Sequence, residues 1–412
     1  MTRRILHCDM NNCFASIEAL LFPELKGKAI AVCGSEKERH GIVLAKSEEA
    51  KKFGVKTAET IWQAKQKCPN LLIVPPHYPA YLHYSKMARE IYSEYTDLIE
   101  PFGLDECWLD VTPSQRLWPD VEELAYTIKE RMKKEIGLTV SIGVSFNKVF
   151  AKLGSDLKKP DAITCIKEEN FREKLWSLPV SALLGVGRAT EKKLYSRGVR
   201  TIGDLARCKA DFLKKLFGKN GLLLHAYANG RDVSRVMSTD YSSPVKSIGR
   251  GLTCVSDLLN NEEVGRVFLY LAQSVARRLR DISLLATGIQ ITIRESSLNF
   301  HQFQAPLSLP SQSASLMAKE ALELFKRNYC WLSPVRALTI RAINLQNQDF
   351  PFQYDIFNQA KAHEKWSKVE ETVYHLRQRF GNDSITMASL LQDLKLPREK
   401  SEIVTLPAGY YR

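Results

Sequence analysis

Two adjacent carboxylates, Asp105 and Glu106, sit inside the otherwise apolar stretch Pro101-Phe102-Gly103-Leu104-Asp105-Glu106-Cys107-Trp108-Leu109-Asp110-Val111-Thr112. Gly103 supplies a tight turn just before them. After them Cys107, Leu109 and Val111 alternate with Trp108, Asp110 and Thr112, the period of two that marks a half-buried strand. The pair is therefore expected at a hairpin tip or strand start. Two carboxylates there repel each other unless a cation lies between them. A solvated acidic turn would also satisfy this stretch taken alone.

A second stretch shifts the balance. In Ile5-Leu6-His7-Cys8-Asp9-Met10-Asn11-Asn12-Cys13-Phe14-Ala15-Ser16-Ile17-Glu18 an apolar strand runs into Asp9, and a helix-compatible segment follows. A carboxylate at the end of a core strand is costly without a partner. Three carboxylates on two rigid strands make the oxygen-rich, hard-ligand site that suits Mg²⁺. Two such ions about 4 Å apart serve phosphoryl transfer.

Asp9-Met10-Asn11-x-x-Phe14-Ala15-Ser16-Ile17-Glu18, followed by Leu104-Asp105-Glu106-x-x-Leu109-Asp110-Val111-Thr112, resembles the Y-family translesion DNA polymerases of the DinB/UmuC type. The resemblance covers roughly residues 3 to 345. It implies that Asp9, Asp105 and Glu106, with the Met10 carbonyl, hold two Mg²⁺ ions, for which Mn²⁺ could substitute. It implies that Phe14 is a steric gate whose ring leaves no room for a 2′-hydroxyl. Asn12, Cys13, Lys51 and Lys159 fall at the family's nucleotide-binding positions. Two departures stand out. Lys51 replaces an arginine and so loses its bidentate fork, and Glu48 stands where the family often has a phosphate-binding tyrosine. Glu48 is expected not to be a phosphate ligand. Asn11 stands where many relatives have a third aspartate.

The 412 residues are too many for one core, so roughly two to four domains are expected. The net charge of +13 points to a polyanionic partner, nucleic acid first and an anionic membrane surface second. No run of about 18 apolar residues occurs and the first residues carry no signal-peptide pattern, so a cytoplasmic protein is expected. The nine cysteines include no CxxC and read as free thiols.

In chain order, residues 1–10 and 77–166 read as a catalytic palm and residues 11–76 as a small insertion, the family's fingers. Ala29–Cys33 and Gly41–Ala45 read as short strands, Ser47–Phe53 and Thr60–Lys65 as helices. Tyr81–Tyr95 and Val121–Ile136 read as amphipathic helices and Leu138–Val144 as a strand, which gives a ferredoxin-like sheet backed by two helices. Ser145–Leu153 opens a helix closed by Lys158-Lys159-Pro160-Asp161, with four lysines at the active-site edge. Residues 167–235 are helical and basic, the family's thumb. Within them Pro179–Leu194 matches a helix-hairpin-helix, in which Gly185 and Gly187 let backbone N–H groups approach a DNA phosphate. After a linker at 236–245, residues 246–345 read as β–α–β–β–α–β, the little finger. Lys246, Arg250, Arg294, Arg336 and Arg341 on or beside its strands are candidate DNA contacts.

Residues 346–412 form a tail. There Gln353, Ile356 and Phe357 resemble the sliding-clamp-binding motif of bacterial polymerases. Trp366, Val369, Val373, Leu376 and Phe380 fall on one face of a helix that needs a partner. The fold class is α+β multidomain. The leading reading is a monomeric, lesion-bypass DNA polymerase that binds primer–template DNA and dNTPs and has no proofreading site. The rivals are a non-catalytic DNA- and clamp-binding scaffold and a nucleotide cyclase.

Overall fold

The computed structural model describes residues 2–39, 41–241, 243–349 and 359–397. They divide into two compact units, one built mainly from residues 2–243 and the other mainly from residues 244–397. The first unit opens with β1 (Ile5–Met10) and α1 (Cys13–Leu21). Next come β2 (Ile30–Cys33), β3 (Val43–Lys46), α2 (Glu48–Lys52), α3 (Ile61–Lys67) and β4 (Leu72–Val74). Then follow α4 (Tyr78–Ser93), β5 (Ile99–Pro101), β6 (Glu106–Asp110), α5 (Val121–Arg131), β7 (Val140–Ser145), α6 (Lys148–Leu157) and β8 (Ile163–Ile166).

The helix starts follow the local chemistry. Ser47 accepts from the Ala50 amide ahead of α2, Thr60 and Gln63 form a capping box on α3, and Asn147 accepts from the Phe150 amide to start α6.

The central sheet has five strands in the order β5-β6-β1-β7-β8, mixed because β8 runs parallel to β7. The sequence pattern anticipated the first four; β8, beyond α6, was not foreseen. Leu6, Cys8, Met10, Cys107, Leu109 and Ile142 face α4 and α5 and make the main core of this unit. The other face is covered by α6, which packs closely because Gly143 has no side chain. A Cβ there would lie 1.8 Å from the Ala151 carbonyl oxygen. This second layer corrects the half-buried reading of β6, for Trp108 is as buried as Cys107. Trp108 donates through Nε1 to the Lys148 carbonyl at 2.9 Å.

The insertion forms its own sheet in the order β3-β2-β4; β4, only three residues long, was not foreseen. The remainder of the unit is helical: α7 (Phe171–Leu175), α8 (Arg188–Tyr195), α9 (Ile202–Arg207), α10 (Ala210–Phe217) and α11 (Lys219–Ala228). The first helix of the expected hairpin is a single 3₁₀ turn, Val180–Ala182.

The second unit runs β9 (Ser247–Leu258), α12 (Asn261–Asp281), β10 (Leu284–Glu295), β11 (Phe300–Ser311), α13 (Ala314–Asn328) and β12 (Val335–Asn347), the expected β–α–β–β–α–β order. Its sheet is antiparallel throughout, ordered β11-β10-β12-β9, with both helices packed on one face. The tail helix α14 (Gln359–Phe380) docks on this unit by a polar side. The Glu370 carboxylate meets Arg280 at 3.1 Å and caps α13 through Ser313 Oγ and the Ala314 and Ser315 amides. Trp366, Val369, Leu376 and Phe380 stay exposed. The apolar face read from the sequence is therefore not the docking face.

Candidate active site

The β1–β6 register brings the carboxylates together. Asp9 is paired directly with Glu106, and the Met10 amide donates to the Asp105 carbonyl at 3.0 Å. On the α6 face, β1 presents His7 and Asp9, and α6 lays Lys152 and Ser155 against them. Lys152 Nζ lies 2.5 Å from Glu106 Oε2, and Lys159 Nζ lies 2.6 Å from Asp9 Oδ2 and 2.8 Å from Asp156 Oδ1. His7 Nε2 lies 3.2 Å from Glu106 Oε2. Among the described residues, His7, Asp9 and Glu106 form a group whose potential ligand atoms all lie within 4.8 Å of one another. Asp105 is outside that group, although it adjoins Glu106 in the chain.

The electrostatics mark an excess of buried negative charge. Burial and the neighbouring Glu106 push the Asp9 carboxyl well up, against the pull of Lys159. Burial and Glu106 also push Asp105 up, to about 6. Burial acts on Glu106 in the same sense, but His7 and Lys152 outweigh it and hold that carboxyl low. Lys159 is costly to bury, yet Asp9 and Asp156 keep its ammonium more firmly protonated than usual. Buried carboxylate oxygens that draw in two ammonium groups fit a divalent cation. Asn11 is not a candidate ligand, since its amide donates to Ser141 Oγ and its carbonyl accepts from the Asp161 amide, each at 2.8 Å. Of the four lysines expected at this edge, Lys148 is elsewhere: it is buried against Glu100 at 2.7 Å and over the Trp108 ring.

Phe14, on α1, stacks on Tyr81 with ring centroids 4.1 Å apart and planes 8° from parallel. Tyr81 is fixed in turn by the buried Glu18 carboxylate. Asn12 precedes α1 with φ of 47°, and its amide donates to Glu48 Oε1 at 2.9 Å. Cys13, the first residue of α1, is buried. Lys51 reaches the same Glu48 oxygen at 3.3 Å. Burial raises the Glu48 carboxyl, but these two donors outweigh it and hold it below the ordinary range. Lys46, at the end of β3, was missed by sequence reasoning. Burial lowers its ammonium, and the nearby positive charges of Lys51 and Lys159 lower it further, so three cationic groups share this margin.

The impB/mucB/samB family model matches residues 8–156, and the C-terminal domain model of that family matches residues 245–355. The model of the DNA polymerase-iota thumb domain matches residues 181–232. The chain is 49% identical over 398 residues to DNA polymerase IV of Acetivibrio thermocellus, covering 97% of this chain and 100% of that one. It is 36% identical over 392 residues to DNA polymerase IV 1 of Bacillus subtilis, covering 95% and 94% respectively. This chain belongs to the Y family of DNA polymerases. A solved Y-family polymerase chimera shares its fold, with a TM-score of 0.72 at 24% identity over 84% of this chain and 99% of that one.

The positions expected to meet DNA in this Y-family chain are spread over both units. Gly185 takes a φ of 89°, and Gly187 is the N-cap of α8 with open space around it. Lys246 is exposed just before β9. Arg250 is not on the uncovered face of its sheet. It shares the helix side with Ile248 and sits over the Tyr270 ring of α12 at 5.1 Å. The uncovered face carries Gln290, Thr292 and Arg294 of β10, Gln302 and Gln304 of β11, and Thr339 and Arg341 of β12, aligned by the register. Gln353, Ile356 and Phe357 lie outside the described residues. No described helix is long and apolar enough to cross a membrane.

Proposed function

We propose that this Y-family DNA polymerase extends a primer by nucleotidyl transfer at Asp9, Asp105 and Glu106, with the Met10 carbonyl as a further ligand. The observation that carries the reading is the cross-strand pair Asp9–Glu106 under α6, Asp9 buried and Glu106 half-buried, met by two ammonium groups. Two Mg²⁺ ions bound there, or Mn²⁺ in their place, would make the primer 3′-hydroxyl more acidic and neutralise charge on the triphosphate. The chain's own groups position the reactants. Phe14, backed by Tyr81, closes the space beneath the sugar to a 2′-hydroxyl. Lys46, Lys51 and Lys159 offer positive charge to the phosphates. Lys159 leaves Asp9 for the triphosphate when the nucleotide arrives.

The backbone amides that start α8 at Gly187 suit a DNA phosphate without regard to sequence. Arg294 and Arg341 suit the DNA backbone likewise. Gln353, Ile356 and Phe357 are assigned to a sliding clamp, and the protein to the cytoplasm as a monomer. The test is extension of a labelled primer on undamaged and damaged templates by the wild type and by the Asp105→Ala/Glu106→Ala double variant. Template-directed extension lost in the double variant is expected. Tight duplex binding without extension by the wild type would instead indicate a scaffold.

A further inference from the structure

Glu106 is gripped on its inner side by a residue that no motif singled out. His7 is wholly buried on β1, two residues before Asp9. Three neighbours fix its ring. Nδ1 lies 2.8 Å from Ser155 Oγ on α6, the ring edge packs on Trp108 at 5.1 Å, and Nε2 lies 3.2 Å from Glu106 Oε2. A polar ring in such a place is costly unless its nitrogens are bonded, and Nε2, near Glu106 but without an aligned hydrogen bond to it, is the nitrogen left unsatisfied in the metal-free chain. Facing an ionised carboxylate, Nε2 must carry a hydrogen whichever charge the ring holds, since a bare nitrogen would oppose lone pair to lone pair. Nδ1 meets the Ser155 hydroxyl, which donates to the Lys152 carbonyl at 2.7 Å and gives Nδ1 a hydrogen only by turning from it. Lys152 Nζ bonds the same Glu106 oxygen as His7. Oε2 is thus committed to the protein, and Oε1 is left to turn toward a cation.

We infer that His7 is a positioning residue for the polymerase reaction: its Nε2–H, backed by Ser155, holds Glu106 in the rotamer that offers Oε1 to the metal. The inference rests on reading Glu106 as a metal ligand. It makes the ring a donor behind the ligand rather than a ligand itself, since a protonated Nε2 cannot bind a cation. It also explains why a histidine, and not an aliphatic residue, fills a site with no access to solvent.

The test measures Mn²⁺ binding by electron paramagnetic resonance, using the full chain on a dideoxy-terminated primer–template with the matching dNTP. Steady-state kcat and KM are measured alongside. His7→Leu is expected to weaken Mn²⁺ binding about tenfold, the usual effect of losing a group that orients a ligand. It should lower kcat with little change in KM for dNTP. His7→Gln puts an amide N–H where Nε2 was and should recover most of the loss. His7→Asn puts it where Nδ1 was and should not. Unchanged Mn²⁺ affinity in His7→Leu would overturn the inference, as would a folded His7→Gln no better than His7→Leu. If His7→Leu does not fold, Ser155→Ala decides: weakened Mn²⁺ binding is expected, and wild-type affinity overturns the inference. Glu106→Gln is the control for the underlying reading. If it binds Mn²⁺ like the wild type, the metal-site assignment fails, which is a different result from failure at His7.

Discussion

The chain contains two sheets that each carry two helices on one face, and they differ in what lies on the other. On the central sheet of the first unit, α6 covers that other face and buries His7 and Asp9, with Glu106 and two lysines half-buried beside them. On the sheet of the second unit no described helix of that unit covers it, and a row of glutamines, threonines and arginines stays accessible. A covered face lowers the local dielectric, so each charge must be met by a partner and pKa values move. An open face leaves charges screened and exchangeable, which suits sliding contact with a polyanion.

The layer itself can be broken at Gly143. An added Cβ would meet the Ala151 carbonyl at 1.8 Å and the Ser155 amide at 2.5 Å, both backbone atoms of α6. Gly143→Ala should therefore lift α6, cost about 3 kcal/mol and largely abolish extension. The matching change on the open sheet, Gly251→Ala, meets Thr339 Oγ1 at 2.2 Å. That hydroxyl can rotate away, while Thr339 Cβ at 3.1 Å and the Leu338 carbonyl at 3.3 Å need give only a few tenths of an ångström, so a cost of about 1 kcal/mol is expected. Thermal denaturation of the two variants compares them directly; equal losses would mean that α6 is not held at Gly143.

Covered charge should also couple metal binding to pH. Asp9 and Asp105 are raised in the folded chain from an ordinary value of 3.8. Between about pH 4 and pH 7 the metal-free native state holds protons that the unfolded state has lost, so raising the pH through that window lowers its stability. Glu106 runs the other way. It is held below its ordinary 4.5, so its contribution is present above that value and lost only as the pH falls further. A divalent cation bound as proposed would displace the protons on Asp9 and Asp105. The rise in melting temperature on adding Mn²⁺ should therefore be larger at pH 8 than at pH 6, and a pH-independent rise would contradict the site.

The open face is tested by arginines on its two sides. Arg294→Ala and Arg341→Ala remove accessible cations, and each should weaken duplex binding a fewfold and reduce the salt slope by about 1. Arg250→Ala removes a guanidinium stacked on Tyr270 beneath the sheet. It should leave the salt slope alone and cost about 1 kcal/mol of stability. Fluorescence anisotropy across a salt series separates these outcomes.

The same contrast explains what could be read from the residues. The second unit was legible because its strands and helices are long and their periods clean; Val264, Val267, Phe268, Leu271 and Val275 mark α12 without help. Even the placement of Arg250 was available, since it shares parity with Ile248 and Cys254, which are buried. In the first unit the order of motifs was legible, but the covering layer was not. Trp108 read as outward because period two cannot foresee a helix laid on the second face. His7, inside the apolar run that leads to Asp9, carried no reading of its own, and the proximity of Lys152 to Glu106 depends on Gly143, whose role emerges only in three dimensions.

The smallest expected effect lies at Glu48. A carboxylate near a triphosphate would repel it, yet the charge of Glu48 is already taken up by Asn12 at 2.9 Å and Lys51 at 3.3 Å. Lys51 is well exposed, so this pair is screened and worth little on its own. Glu48→Ala removes a repulsive charge and frees Lys51 for the phosphates, while it releases the Asn12 amide ahead of Phe14. The first two effects favour nucleotide binding and the third loosens the gate. The expected outcome is a KM for dNTP within about threefold of wild type, equivalent to about 0.65 kcal/mol, with any change toward tighter binding. A severalfold rise in KM would show that Glu48 itself helps to hold the nucleotide, through a bound cation or a water, and that the covered site extends further out than α6.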